Sequence, residues 1–376
     1  MKENPFVYGE SVTGENFCNR KEEAGKLEKD LLASQKVFLI SARKLGKTSL
    51  IKMVLEKLKK KGFLTIFIDL EGFSSYKQFL DAYLLALTQQ ATVLDKLLTF
   101  IRQIIPGLRV DFTIDEVGRP SLSLGYQYPT PDFDKIARKI FALPEVISKR
   151  RRKKMVVVFD EFQEILNLNG ENIEGTLRAA IQHQRRVAYI FAGSKKHLLS
   201  DMVTSPERPF YKIGPIMRLK KIPEKDFFEY IKAKFQSTKI KISDEIINNI
   251  IMRAENIPYY VQMFAHELWD YAITKGEVKA KDLEIVINQL VGQFSPTFHQ
   301  EWSRLILSKR QLLQAIALSG GKNILSKDYL ERNKLGLPSA ARRTLTSLVD
   351  EGYLDKEENE YFFNDLLFRE WIKSLR

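Results

Sequence analysis

The sequence predicts an α/β fold: a parallel sheet with helices on both faces, then an all-helical segment, then three helices and a small hairpin. Three observations predict it. Short apolar runs alternate with helical patterns over about the first two hundred residues, the order that builds covered parallel sheets. Two of these runs end in small polar or charged clusters: Val37–Ile40 leads into Ser41–Ser49, and Met155–Phe159 leads into Asp160-Glu161. From Pro223 onward helical patterns dominate until two β-rich stretches near the end. The expected domains are 1–221, with a hairpin inserted at about 106–127, then a helical lid at 222–295 and a winged helix at 296–376.

Each element follows from its pattern. Pro5–Arg20 is irregular, with Gly9 and Gly14, and leads into a helix over Lys21–Ser34. Val37–Ile40 reads as a buried strand, Thr48–Leu58 as a helix and Phe63–Leu70 as a second strand. Ser75–Leu98 reads as a helix whose apolar face runs through Tyr76, Phe79, Leu80, Tyr83, Leu84 and Leu87. Leu108–Asp115 and Ser121–Gly125 both alternate around Gly118 and Pro120, which predicts the inserted hairpin. A helix over Asp132–Ser148 is followed by six basic residues, Lys149–Lys154, read as a solvated loop before the Met155 strand. A helix over Asn172–Arg185, a strand over Val187–Ser194, a helix over Lys195–Thr204 and a strand near Ile213–Leu219 complete the sheet. Ligands in such sheets sit at the C-terminal strand ends, where Ser41, Asp160 and Ser194 lie. Helices are then expected at Glu224–Gln236, Ser243–Ala254, Pro258–Thr274 and Ala280–Phe294, with Gln293–Thr297 as a connector. Trp302–Ala317, Ser326–Leu335 and Ser339–Glu351 read as three helices, and Gly352–Asp355 and Glu360–Phe363 as the strands of a wing.

Composition narrows the function. A hydrophobic content of 44% and a charged content of 28% are those of a globular protein with real cores. No apolar run reaches the 18–20 or so residues of a membrane span, and the N-terminus lacks a signal-peptide core. A single cysteine, Cys18, excludes an internal disulfide and fits a cytoplasmic setting, and four scattered histidines suggest no metal cluster. The formal charge of +13 favours a polyanionic partner such as nucleic acid, although charge-rich surfaces also occur in heat-adapted proteins.

The chemistry is carried by two strand ends. A loop between a strand and a helix with Gly46-Lys47-Thr48 at the junction is a phosphate loop, and the sheet is that of a P-loop NTPase. Backbone N–H groups and the helix N-terminus cradle phosphates, lysine reaches the β- and γ-phosphates, and the hydroxyl holds Mg2+. Ser41, Arg43, Leu45, Gly46, Lys47, Thr48 and Ser49 are therefore candidate ATP contacts, with Ser41 where the pattern usually has glycine. Asp160 is the candidate Mg2+ ligand beside Thr48, and Glu161 the group that orients or deprotonates water. Ser194 is placed either to reach the γ-phosphate or to cap the following helix. Arg208 is a candidate for completing a neighbouring subunit's site in a homo-oligomer, with Arg218 and Lys212 as alternatives.

On these residues the chain resembles a P-loop ATPase of the AAA+/STAND kind, close to the archaeal-type ATPase family with a helical lid and a C-terminal winged helix. Phe17-Cys-Asn-Arg20 is similar to that family's Phe-x-[Gly/Asn]-Arg box, which implies that Phe17 and Arg20 lie near the adenine. Asp160-Glu161 matches its Walker B motif, Ser194 its sensor-1 position, and Glu255-Asn-Ile-Pro258 its Gly-x-Pro lid motif, which makes Pro258 a nucleotide-side residue. Glu255 or Asn256 stands in place of the lid glycine, and no arginine opens the Pro258 helix, so slow turnover with nucleotide acting as a switch is expected.

In the predicted winged helix, Leu345 and Leu348 face inward while Arg342, Arg343 and Thr346 face outward, which suits a recognition helix on double-stranded DNA. The wing, Asp355–Glu360, is acidic and would repel phosphates, so a protein partner is the alternative. Two functions follow: an ATP/ADP-controlled, ATP-hydrolysing switch that binds DNA, or a signalling scaffold whose winged helix binds protein.

Overall fold

The computed structural model describes residues 3–12, 14, 17–90, 108–114, 120–126, 133–168 and 172–375. Its contacts divide the chain into two units, Ser11–Lys220 and Lys221–Arg376 with Met1–Glu10.

The first unit is built on a parallel sheet of β1 (Lys36–Ile40), β2 (Leu64–Asp69), β5 (Met155–Asp160), β6 (Val187–Gly193) and β7 (Ile216–Arg218), in the order β2-β5-β6-β1-β7. Successive residues of these strands point to opposite faces, so each strand supplies two cores. Val37, Leu39, Val156, Val158, Ala188 and Ile190 pack beneath α1 (Lys21–Leu32) and α2 (Lys47–Lys60). Phe38, Ile40, Val157, Phe159, Tyr189 and Phe191 form the other face with α3 (Tyr76–Gln89), α4 (Phe133–Arg151), α5 (Ile173–Ile181) and α6 (Lys196–Thr204). Burial on both faces explains why the strands read as continuous apolar runs. The inserted hairpin pairs β3 (Leu108–Ile114) with β4 (Pro120–Tyr126), Leu108 opposite Tyr126. Its turn, and residues 91–98 of the helix expected over 75–98, lie outside the described residues.

Two readings of this unit change, and one element is new. The helix expected over Asn172–Arg185 ends at Ile181, because Gln184 turns inward, donating to the Phe141 carbonyl and accepting from the Tyr189 hydroxyl. A 3-10 turn, Phe162–Asn167, follows Glu161 directly. Half of the basic run is helix: Lys149–Arg151 form the last turn of α4. The helix then stops in a Schellman motif, with Lys153 N–H on the Ser148 carbonyl, Arg152 N–H on the Lys149 carbonyl and Arg152 left-handed at φ 52°.

The second unit is helical: α7 (Glu224–Ser237), α8 (Asp244–Arg253), α9 (Pro258–Ala272), α10 (Asp282–Arg304), α11 (Leu307–Ser319), α12 (Lys327–Arg332), α13 (Pro338–Asp350) and α14 (Leu366–Ser374), with a wing of β8 (Leu354–Glu357) and β9 (Glu360–Phe363). The expected connector Gln293–Thr297 is instead the middle of α10, so the helix expected from Trp302 starts only at Leu307. Pro296 removes one helical hydrogen bond, a cost of about 3 kcal/mol in an isolated helix. Packing offsets it: Phe298 is buried against Phe368 and Trp371 of α14, and the Trp371 indole donates to Ser295 Oγ at 3.0 Å. Among the described residues no helix is long and apolar enough to cross a membrane.

Candidate functional site

The site assembles at the C-terminal edge of the sheet because β6 lies between β1 and β5. Ile40 pairs with Gly193, and Phe159 with Phe191, so the residues that follow these three strands converge. The loop after β1 is anchored by Ser41 N–H on the Gly193 carbonyl, and Ser41 Oγ turns onto the Ala42 carbonyl. Lys44 and Gly46 are left-handed, with φ 64° and 84°. No side chain caps the N-terminus of α2 and no acidic residue occupies its first turn, which leaves N–H groups and helix dipole to an anion.

Lys47 is buried, and its Nζ lies 2.5 Å from both Asp160 Oδ1 and Glu161 Oε1. Thr48 Oγ1 donates to Asp160 Oδ2 at 2.9 Å. A hydroxyl and a carboxylate side by side are the hard oxygen donors Mg2+ takes while leaving positions for phosphate oxygens and water. Among the described residues no group of three or more His, Cys, Asp or Glu could hold a metal ion.

Glu161 is the most constrained residue of the site. Its backbone is left-handed at φ 47°, an unusual conformation for glutamate that turns the side chain back toward the loop. Its Oε2 accepts from Ser194 N at 3.0 Å, Ser194 Oγ at 2.7 Å and Gln163 Nε2 at 2.7 Å. Burial alone would raise its pKa, but Lys47 and these donors hold it down to about 2. Ser194 therefore serves the carboxylate. The alternative capping reading falls, since α6 has Lys195 at its N-cap and no side-chain cap.

Other expected residues fall around this centre. Arg20 is buried, donating to the Leu45 carbonyl at 3.2 Å and pairing with Glu23 at 2.8 Å, and Phe17 packs on the adjoining core. Arg43 is exposed, and Ser49 Oγ accepts from Val12 N. Arg208 lies 3.0 Å from Glu174 and 3.7 Å from Asp201, out of line for a hydrogen bond to either. Of its alternatives, Arg218 donates to Ser200 Oγ and Lys212 sits over the Tyr211 ring.

In the other unit, Pro258 opens α9, and Glu255 and Asn256 before it are both left-handed, with φ 52° and 58°. The backbone bend that favours glycine is thus kept without it, held by Glu255 on Arg369 and Asn256 on Glu224. Arg342 and Arg343 are exposed on α13, whose Ala341, Leu345 and Leu348 face inward.

Two residues of the site were not read from the sequence, Gln163 and Gly193. Gln163 is 2% exposed and among the described residues its Oε1 has no partner, while a Cβ on Gly193 would stand 2.1 Å from that oxygen. The available signal was a glutamine two residues after the carboxylate pair, with a glycine before Ser194.

Residues 296–374 match the family model described as "Probable winged helix domain". No curated protein matches the sequence. Among solved structures, the chain is similar to the Walker-type ATPase PABY2304 of Pyrococcus abyssi, at 18% identity over 98% of this chain and 99% of that one, with a TM-score of 0.69. It is also similar to the ORC2 protein of Aeropyrum pernix in ADPNP–ADP complexes, at 14% identity over 96% of each chain and a TM-score of 0.58. The ORC1 protein of Aeropyrum pernix in complex with DNA follows at 13% identity, 96% of this chain, 94% of that one and 0.51. At such identities the likeness is one of fold, shared with a Walker-type ATPase and two ORC proteins.

Proposed function

Given an AAA+ ATPase fold with a winged helix, we propose that the protein is a Mg2+-dependent, ATP-binding and ATP-hydrolysing switch whose nucleotide state controls DNA binding by the winged helix. The observation that carries the ATP reading is Lys47 Nζ at 2.5 Å from both Asp160 and Glu161, with Thr48 on Asp160. Thr48 and Asp160 would hold Mg2+, which neutralises charge on the β- and γ-phosphates. Lys47 would exchange its carboxylate contacts for phosphate oxygens. Glu161, freed from Lys47 and with its carboxylate fixed by Ser194 and Gln163, would orient or deprotonate the attacking water. Arg208 would serve a neighbouring subunit, where it stabilises charge that appears only in the transition state.

A second reading, a STAND-like scaffold whose winged helix binds protein, is favoured by one observation. The wing residues Glu357–Asn359 are exposed, in an acidic stretch that repels phosphates. Anisotropy of a labelled DNA duplex with ATP, ADP and no nucleotide separates the two. The switch predicts an affinity that differs at least about tenfold between ATP and ADP, and that Arg342→Ala/Arg343→Ala weakens binding. Unchanged DNA binding in that variant, with ATP altering only the size of the assembly, favours the scaffold.

A further inference from the structure

The basic run Lys149–Lys154 takes no part in the ATP site, nor does most of the chain's positive charge. Residues 11–220 carry the whole formal charge of +13, and the unit with the winged helix sums to zero. Much of this excess gathers at one place. Leu64 N donates to the Lys154 carbonyl at 2.9 Å and Met155 N to the Arg186 carbonyl at 3.0 Å, so the segments entering β2, β5 and β6 run side by side. Adjacent strands are about 4.8 Å apart, which places the Leu64, Lys154 and Arg186 backbones within about 10 Å, with Lys61 three residues before Leu64. The exposed last turn of α2 (Lys57, Lys59, Lys60) and the run 149–154 converge on this edge. Among the described residues Glu28 meets Lys61 at 2.5 Å and Glu145 meets Lys149 at 3.4 Å, and Arg150 and Arg151 have partners as well, while Arg152, Lys153 and Arg185 stay exposed.

Helix dipoles favour a cation or two at each C-terminus, but not a run of six that repel one another. The ordering of the run is also telling. Its Schellman motif places Arg152 at the left-handed position that glycine normally fills, so the sequence holds a cation where backbone chemistry prefers none.

We propose that this N-terminal edge of the sheet, formed by the last turn of α2, Lys149–Lys154 and Arg185–Arg186, binds the phosphate backbone of duplex DNA without reading its bases. The arginines of this edge, Arg150–Arg152 with Arg185 and Arg186, suit bidentate contacts to phosphate. An anionic membrane is disfavoured because, among the described residues of this unit, only Leu32 is a large exposed apolar side chain near the edge. The edge lies across the strands from the phosphate loop, about 20 Å away for a six-residue strand, so substitutions here leave the ATP site untouched. The proposal does not rest on DNA binding by the winged helix.

The test is anisotropy of a labelled 30-base-pair duplex against the full chain over a salt series. Arg152→Glu/Lys153→Glu/Arg185→Glu should weaken binding more than tenfold at low salt, and flatten the slope of log affinity against log salt by about 0.9 per lost contact. ATP-induced thermal stabilisation should be unchanged. Arg152→Gly guards against a folding artefact, because it should raise the melting temperature by relieving the left-handed backbone while lowering DNA affinity. If Arg342→Ala/Arg343→Ala abolishes binding while the edge variants bind like wild type, the edge proposal is overturned and the winged-helix reading stands. The reverse pattern supports the edge and removes the winged helix. Salt-sensitive capture by phosphatidylserine vesicles with no duplex binding also overturns it.

Discussion

Replacing Lys47 with alanine should destabilise the protein as well as remove ATP binding. Its ammonium is buried and touches two carboxylates at 2.5 Å, so the substitution leaves the buried Asp160 and the half-buried Glu161 without their shared cation. The size of the effect follows from Glu161. Its pKa is held at about 2 against an ordinary 4.5 by Lys47 together with Gln163 and Ser194, and removing one partner of such a buried pair costs ~3 kcal/mol or more. The sign follows from linkage: a lowered folded pKa stabilises above pH 4.5, and that contribution is lost as pH falls through about 2. Urea denaturation of Lys47→Ala and wild type should therefore differ by ~3 kcal/mol at pH 7 and converge toward pH 2–3. Lys47→Met, which keeps the apolar stem, should behave alike. Equal stability at pH 7, or a gap that does not shrink in acid, refutes the bridge.

Glu161→Gln should bind Mg-ATP normally while turnover drops by roughly a hundredfold or more, since shape is kept and the carboxylate is not. Gly193→Ala would drive a Cβ to 2.1 Å from Gln163 Oε1, displacing the amide that holds Glu161. Turnover should fall about tenfold with ATP affinity unchanged, and combining it with Gln163→Ala should add little further loss. Arg208→Ala should lower turnover without weakening nucleotide binding, and mixing it with Glu161→Gln should restore activity at interfaces where intact Glu161 meets intact Arg208. Specific activity independent of protein concentration in a monomer excludes that role.

The strand ends of the candidate site were legible in the sequence because they are local. An apolar strand followed by Gly46-Lys47-Thr48, and another followed by Asp160-Glu161, state their chemistry within a dozen residues. Strand order is not local. That β6 lies between β1 and β5, bringing Ser194 onto Glu161, depends on β6 pairing both with β5, 33 residues separating Glu161 from Ser194, and with β1, more than a hundred residues earlier. Gln163 was missed for the same reason: it gains a partner only through the left-handed turn at Glu161 and the space above Gly193. Pro296 misled in the opposite direction. A proline normally argues for a break, but aromatic packing from α14, itself unexpected, carries α10 through it.

Calorimetric titration of ATP, with and without Mg2+, tests the phosphate-loop assignment most directly. Wild type should bind ATP more tightly with Mg2+, and Thr48→Val should lose that Mg2+-dependent gain while keeping the fold, because it removes the hydroxyl beside Asp160. A Thr48→Val protein that binds Mg-ATP as wild type does, or a wild type that binds no ATP, contradicts the assignment.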